Sequence, residues 1–246
     1  MPHPIRIGVG GWTYEPWRDT FYPSGLRQAD ELAFAARALT AIEVNGTYYG
    51  TQKPATFAKW AKETPDGFVF ALKAPRFATS RRVLAEAGDS IARFLASGLT
   101  ELGPKLGPIN WQLPPTKKFD PDDMAAFLDL LPDRLKGLPL THAIEARHDS
   151  FACDEFTTLL RDRGIAAIQA EDSDYPRIDA ATAPFAYLRL MGTREGEPAG
   201  YPEAGLDRWA DRLRDMARAR DVFLFVISGH KAVNPAAAQA LIRRLE

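Results

Sequence analysis

Eight short apolar runs, separated by stretches of helical periodicity, constrain this chain more than any other feature. The runs are Ile5–Gly10, Ala41–Asn45, Phe68–Lys73, Pro108–Gln112, Thr141–Ala146, Ile165–Ala170, Phe185–Met191 and Asp221–Ile227. Between them, Ala29–Leu39 keeps Leu32, Ala35, Ala36 and Leu39 at helical spacing. Thr56–Glu63 follows Pro54, a residue suited to a first helical turn. Pro121–Leu131 stops at Pro132 and Asp154–Arg163 at Gly164, both good terminators. Leu206–Arg220 and Ala236–Leu245 complete the helical patterns. Strands alternating with helices imply parallel pairing through right-handed crossovers. Eight such units in 246 residues predict a closed (β/α)8 TIM barrel, an α/β fold filling one domain over residues 1–246. An open doubly wound sheet is the alternative, but Gly8, Gly10 and Gly11 make a poor dinucleotide fingerprint. Asp172–Pro184, with Pro176 and little helical periodicity, predicts that the sixth helix is missing or vestigial.

Charge bears on the partners. With 31 basic and 32 acidic residues, the net charge is −1. A protein that binds by neutralising phosphates carries a positive excess somewhere, so a nucleic-acid partner is disfavoured but stays open through a local basic groove. The single cysteine, Cys153, excludes an internal disulfide framework and fits a reducing compartment. Without a charged-then-apolar leader, and with its longest apolar runs far too short to span a bilayer, the chain is expected to be cytoplasmic and free of membrane.

Strand alternation then sorts the polar residues. Successive side chains point to opposite faces. If Ile144 and Ala146 face the helices, Glu145 and Arg147 face the barrel axis; likewise Ile42 and Val44 send Glu43 and Asn45 inward. Lys73, Gln112 and Arg189, beside Tyr187, end three further runs. One buried ion pair is structural more often than functional. A ring of polar groups from five strands, all at their C-terminal ends, is hard to explain as packing, and barrel enzymes place their active sites there.

Within that ring, Lys73, Arg147 and Arg189 read as an anion clamp, with Gly192 and Gly229 following the last two strands. The alternative is internal neutralisation by Glu43 and Glu145. Three cations against two carboxylates leave one positive charge over. A carboxylate beside Arg has its pKa depressed, which makes Glu145 a poor base and a better orienting partner for Arg147. His148 suits proton transfer, or is a solvated loop residue. The aromatic residues Trp12, Tyr14, Trp17, Phe21, Tyr22, Tyr48 and Tyr49 offer a stacking wall, with Trp17, Phe21 and Tyr22 assigned to packing and Trp12 to the rim. Glu43, Glu145, His148, Asp172 and His230 are a thin ligand pool with no paired His or Cys motif, so neither a metal nor a cofactor is expected.

The chain resembles the domain of unknown function 72 family, the YecE-like proteins. The resemblance is carried by "GVGGWTYEPWRDTFYP", "TAIEVNGTYYGTQKPATFAKW", "FVFALKAPR", "LGPINWQLPP", "HAIEARHDSF" and "YLRLMG". It implies a TIM barrel similar to the xylose-isomerase-like and endonuclease-IV-like barrels, and no established reaction. Its motif positions fall on Gly11, Trp12, Glu43, Asn45, Tyr48, Lys73, Gln112, Glu145, Arg147, His148, Asp172, Arg189 and His230. Where the family commonly has His in its seventh-strand "RLHG" this chain has Met191, and where it commonly has an Asn-Asn pair ending the eighth strand it has Ile227 and Ser228. The expected function is acid–base catalysis on a small phosphate- or carboxylate-bearing metabolite. The catalytic candidates are Glu145, His148, Lys73 and Glu43; the binding candidates are Trp12, Asn45, Tyr48, Gln112, Arg147, Asp172, Arg189 and His230. The alternatives are a nucleic-acid phosphodiester site and a non-catalytic ligand-binding protein.

Overall fold

The structure, a computed structural model, describes residues 2–246. Eight parallel strands close on themselves in sequence order: β1 (Ile5–Gly10), β2 (Ala41–Val44), β3 (Val69–Lys73), β4 (Leu106–Gln112), β5 (His142–Glu145), β6 (Ala166–Glu171), β7 (Phe185–Leu190) and β8 (Asp221–Val226). Closure is made by β8 against β1, in register from Ile5 with Val222 to Val9 with Val226. The predicted eight-stranded TIM barrel is the fold.

The pleat divides the buried residues into two shells. Outward-facing Ile7, Val9, Ile42, Val44, Leu72, Ile109, Trp111 and Ile144 join the helices in one large apolar cluster. A second, smaller cluster fills the lumen, where Ala41, Ala71, Ala143 and Ala166 accommodate Ile168, Phe185, Tyr187 and Phe225. Small residues on four strands thus make room for aromatic rings from β7 and β8, as dense packing without voids requires.

Besides the single turns Gly46–Tyr49 and Arg76–Thr79, the helices are α1 (Glu31–Ala38), α2 (Pro54–Glu63), α3 (Gly88–Leu95), α4 (Pro121–Asp129), α5 (Asp154–Arg161), α6 (Glu203–Met216) and α7 (Asn234–Leu245). Pro54 opens α2, and Asp120 caps α4 by accepting from the Asp123 N–H at 3.0 Å. Helix α3, which buries Ile91, Phe94 and Leu95, has no counterpart in the sequence reading. Its apolar pattern spans barely two turns between the 3-10 segments Leu84–Ala87 and Leu99–Lys105, too short for periodicity to stand out.

After β6 no helix forms, as the sequence predicts. The segment 172–184 instead folds back over β6. Ile178 is buried, and Thr182 Oγ1 accepts from the Ala167 N–H at 2.9 Å and donates to Ile165 O at 2.7 Å. The outer face of β6 is correspondingly polar: Glu171 accepts from Arg212 at 2.7 Å and from Arg177 at 3.1 Å, while Gln169 bonds Arg212 and Asp179.

Barrel closure leaves no space at Gly8. A Cβ built there would lie 1.8 Å from the Ala41 carbonyl oxygen on neighbouring β2. Backbone cannot rotate aside as a side chain can, so the strands would have to part. Gly8→Ala is therefore expected to destabilise at or above the upper end of the roughly 1–3 kcal/mol usual for overpacking, measured as a shift in urea midpoint. An unchanged midpoint would show that β1 and β2 are not held at this separation.

Candidate functional site

The inward-facing polar residues lie near or just past the C-terminal ends of their strands, so the barrel gathers them at one end. At the base of the cavity lies Arg189 on β7, 1% exposed. Its Nη1 donates to Glu145 Oε2 at 2.6 Å and its Nη2 to Glu43 Oε1 at 3.0 Å, tying β7 to β5 and β2 across the lumen. Tyr187, one layer below on the same strand, donates to Glu43 Oε2 at 2.5 Å. Asn110 on β4 donates to Glu43 Oε2 at 3.2 Å and reaches Glu145 Oε2 at 3.5 Å. Both carboxylates are fully buried, and their lone pairs are taken up by these donors.

Above this floor, Arg147 donates to Glu145 Oε1 from Nε at 2.9 Å and to Gln112 Oε1 from Nη2 at 2.7 Å. Its guanidinium lies 4.3 Å from the centre of the Tyr175 ring, whose hydroxyl accepts a further bond. The expectation that Glu145 orients Arg147 matches this geometry, and Glu145 holds Arg189 as well. Lys73 differs from both arginines. Its Nζ stands 4.5 Å from the centre of the Tyr48 ring and, among the described residues, has neither a hydrogen-bond acceptor nor an ion-pair partner. The Lys73 backbone is nevertheless fixed, since Thr47 Oγ1 donates to its carbonyl at 2.7 Å.

A cavity of about 490 Å³ opens over these groups. Asn45, Tyr48, Lys73, Gln112, Arg147 and Arg189 line it, together with Tyr14, Trp17, Ile227, Ser228 and Lys231. Gly10 contributes by absence: a Cβ there would meet Asn45 Nδ2 at 2.9 Å and Ile227 Cδ1 at 3.1 Å.

Electrostatics separates the groups. Burial raises the Glu145 pKa, but the charges of Arg189, Arg147 and Lys73 outweigh it and leave the carboxyl below its ordinary value. Burial, then the charge of Glu43, raises the Tyr187 phenol well above its ordinary value, so it stays a donor. Burial, reinforced by Arg189, lowers the Lys73 ammonium to about 8. Of these three groups, only Lys73 changes charge near neutral pH.

Some sequence candidates lie elsewhere. Glu43 and Glu145 are beneath the cavity, sealed by Arg189. Trp12 is turned into the wall, edge-on to Trp60 at 5.1 Å. Trp17, assigned to packing, is buried in the core at 2% exposure against Phe21 and Tyr22, and also borders the cavity, anchored by its Nε1–H on Lys231 O at 2.8 Å. His148 is outside the lining: its Nδ1 accepts from the Ser150 N–H at 3.1 Å, capping the turn Asp149–Phe151. Asp172, in the left-handed region at φ 55, turns toward a separate cleft beside α6, with Arg194, Arg208 and Tyr201. His230 lies beyond the lining, at the start of the turn Lys231–Val233. Asn110 was missed, and Tyr187, read beside Arg189, was given no role, although alternation applied two residues inward from Gln112 and Arg189 points at both. Among the described residues, no three His, Cys, Asp or Glu side chains gather as a metal cluster, and no helix is long and apolar enough to cross a membrane.

Residues 6–246 match the family model described as Protein of unknown function DUF72. A DUF72 family protein from Thermotoga maritima shares 21% identity over 98% of this chain and 97% of its own, with a TM-score of 0.74. One from Enterococcus faecalis shares 19% over 98% and 95%, with a TM-score of 0.73. A more distant fold relative, SacUVDE, shares 11% over 99% and 98%, at 0.58. No curated protein matches the chain.

Glu145 joins two arginines in a desolvated floor, so Glu145→Ala leaves both under-neutralised and is expected to cost about 3–5 kcal/mol in chemical denaturation. A loss of a few tenths would mean a dispensable group. Because its folded pKa is depressed, its contribution is present above the unfolded value of about 4.3 and is lost as pH falls through the folded value. The stability gap between the wild type and Glu145→Gln should accordingly narrow on acidification. A gap constant down to pH 3 would contradict the pairing.

Proposed function

The chain belongs to the DUF72 family, and we propose that its barrel mouth binds a small anionic metabolite and performs acid–base chemistry on it. The observation that carries this reading is the division of charge between floor and cavity. Arg189 is neutralised from both sides by Glu43 and Glu145, and Arg147 shares Glu145. Lys73 and Lys231 are then left facing the cavity with no carboxylate among its lining residues. Arg147 Nη1 is held only by the Tyr175 hydroxyl, at 3.2 Å, which leaves that side of the guanidinium suited to an anionic oxygen. Gln112 and Asn45 supply neutral polar contacts, and Tyr14, Trp17 and Tyr48 supply apolar faces, a mixture typical of metabolite pockets.

For the chemistry, the floor carboxylates serve badly, being buried and claimed by arginine. Lys73 serves better, because an amine with a pKa of about 8 exists in both protonation states under working conditions. The nucleic-acid alternative rests on the likeness to SacUVDE, which at 11% identity is a likeness of fold. A near-neutral chain and a cavity of metabolite size favour the small ligand.

Calorimetry with phosphate, sulfate, sugar phosphates and their neutral analogues tests this reading. The anions are expected to bind the wild type, and Arg147→Ala to weaken them about tenfold or more, a charge-assisted hydrogen bond contributing roughly 1.5–3 kcal/mol. Neutral analogues should bind weakly to both. Equal affinity for anions and neutral analogues would reject the anion site.

A further inference from the structure

Two lysines of this chain are equally buried, at 8% exposure, and their surroundings are opposite. Lys105 is capped by three oxygens: its Nζ donates to Ala61 O at 2.6 Å, Thr64 O at 2.5 Å and Thr64 Oγ1 at 3.3 Å. That is how a structural buried ammonium is satisfied. Lys73 has no such cap. Its amine ends a rigid strand, meets only the face of Tyr48, and looks into the cavity. The charges of Arg189 and Arg147 repel its protonated form, against the attraction of Glu43 and Glu145. An amine fixed at a strand end, uncapped by protein and open to the cavity contributes little to packing, and such sites are where function resides.

We propose that the Lys73 amine is a nucleophile, forming a Schiff base with the carbonyl group of a small 2-oxo acid bound in the cavity. The inference rests on the reading of the barrel mouth as an anion site and deepens it by naming the substrate class. In the step, the Nζ lone pair forms a bond to the carbonyl carbon while the C=O π pair moves to oxygen. Proton transfers through the cavity bring the two amine hydrogens to that oxygen, which leaves as water. One further proton from solvent gives the iminium, and no oxidant or reductant is consumed. The iminium then draws electrons from the adjacent carbon, the chemistry that makes amines effective on carbonyl substrates. Arg147 and Lys231, lining the same cavity, are placed to receive the carboxylate. A pKa of about 8 supports the assignment. Near pH 7.5 it gives on the order of a hundredfold more neutral amine than an ordinary lysine carries.

The test is reductive trapping. Wild-type protein is incubated with pyruvate, or separately with the neutral probe acetaldehyde, then treated with borohydride and digested for mass spectrometry. The pyruvate adduct is expected at Lys73 in large excess over exposed Lys136, and its yield should rise with pH and level off above about 8. Lys73→Arg and Lys73→Met, each checked for an intact thermal transition, should lose that adduct and keep the surface background. Modification of Lys73 no greater than that of Lys136 overturns the proposal. Pyruvate binding by calorimetry without an adduct overturns it too, while leaving the anion site standing. An adduct from acetaldehyde and none from pyruvate keeps the nucleophile and overturns both the oxo-acid substrate class and the anion site.

Discussion

The barrel is organised around a single guanidinium. Arg189 reaches across the lumen from β7 to carboxylates on β2 and β5, with Tyr187 and Asn110 supplying the remaining donors. Removing one such charge from water costs several kcal/mol, and the attraction between partners offsets this only when the geometry is good and the other lone pairs are satisfied. The lumen surrounds each carboxylate with donors from several strands, leaving Arg189 Nε and Asn110 Oδ1 without a partner among the described residues. The arrangement works only if the strands keep their stagger, because slipping by one residue would turn the acid outward into the apolar shell. Register, closure and charge balance are therefore one constraint.

That constraint explains why the site was readable from sequence in some places and not in others. The period of two holds rigorously inside a strand, so Glu43, Lys73, Gln112, Glu145 and Arg189 reveal their direction from their apolar neighbours alone. It holds equally for Asn110, but that residue sits inside "GPINWQ", where a glycine and a proline disguise the alternation. Tyr187 was visible beside Arg189 but its role was not: a phenol in a strand of aromatic and aliphatic residues looks like packing, and its hydroxyl matters only once a carboxylate is known to be opposite.

Past the last strand residue the rule weakens: it still carries Asn45 and Arg147, one and two positions beyond β2 and β5, to the cavity, and fails elsewhere. His148, Asp172 and His230 follow strand ends, and each takes its direction from local turn geometry. His148 is drawn to its own turn as a cap, and Asp172 is swung aside by a left-handed backbone. The placement of Trp12 and Trp17 has the same origin. Both lie in the loop after β1, whose path is set by long-range anchors such as the Trp17 indole on Lys231 O, more than 200 positions away in the chain. The helix missing after β6 was legible for a better reason, since proline and absent periodicity act locally.

Where that helix would lie, β6 is sheathed by guanidinium–carboxylate contacts and a strap of chain instead of interlocking apolar side chains. Apolar packing depends little on ionic strength, whereas partly exposed ion pairs weaken as salt screens them. The cylinder thus has one seam whose cohesion belongs to the solvent as much as to the chain. Rising salt loosens the barrel anisotropically, with the β6 flank yielding while the hydrophobic flanks hold. A fold that is cylindrical in shape is in this sense one-sided in its mechanics.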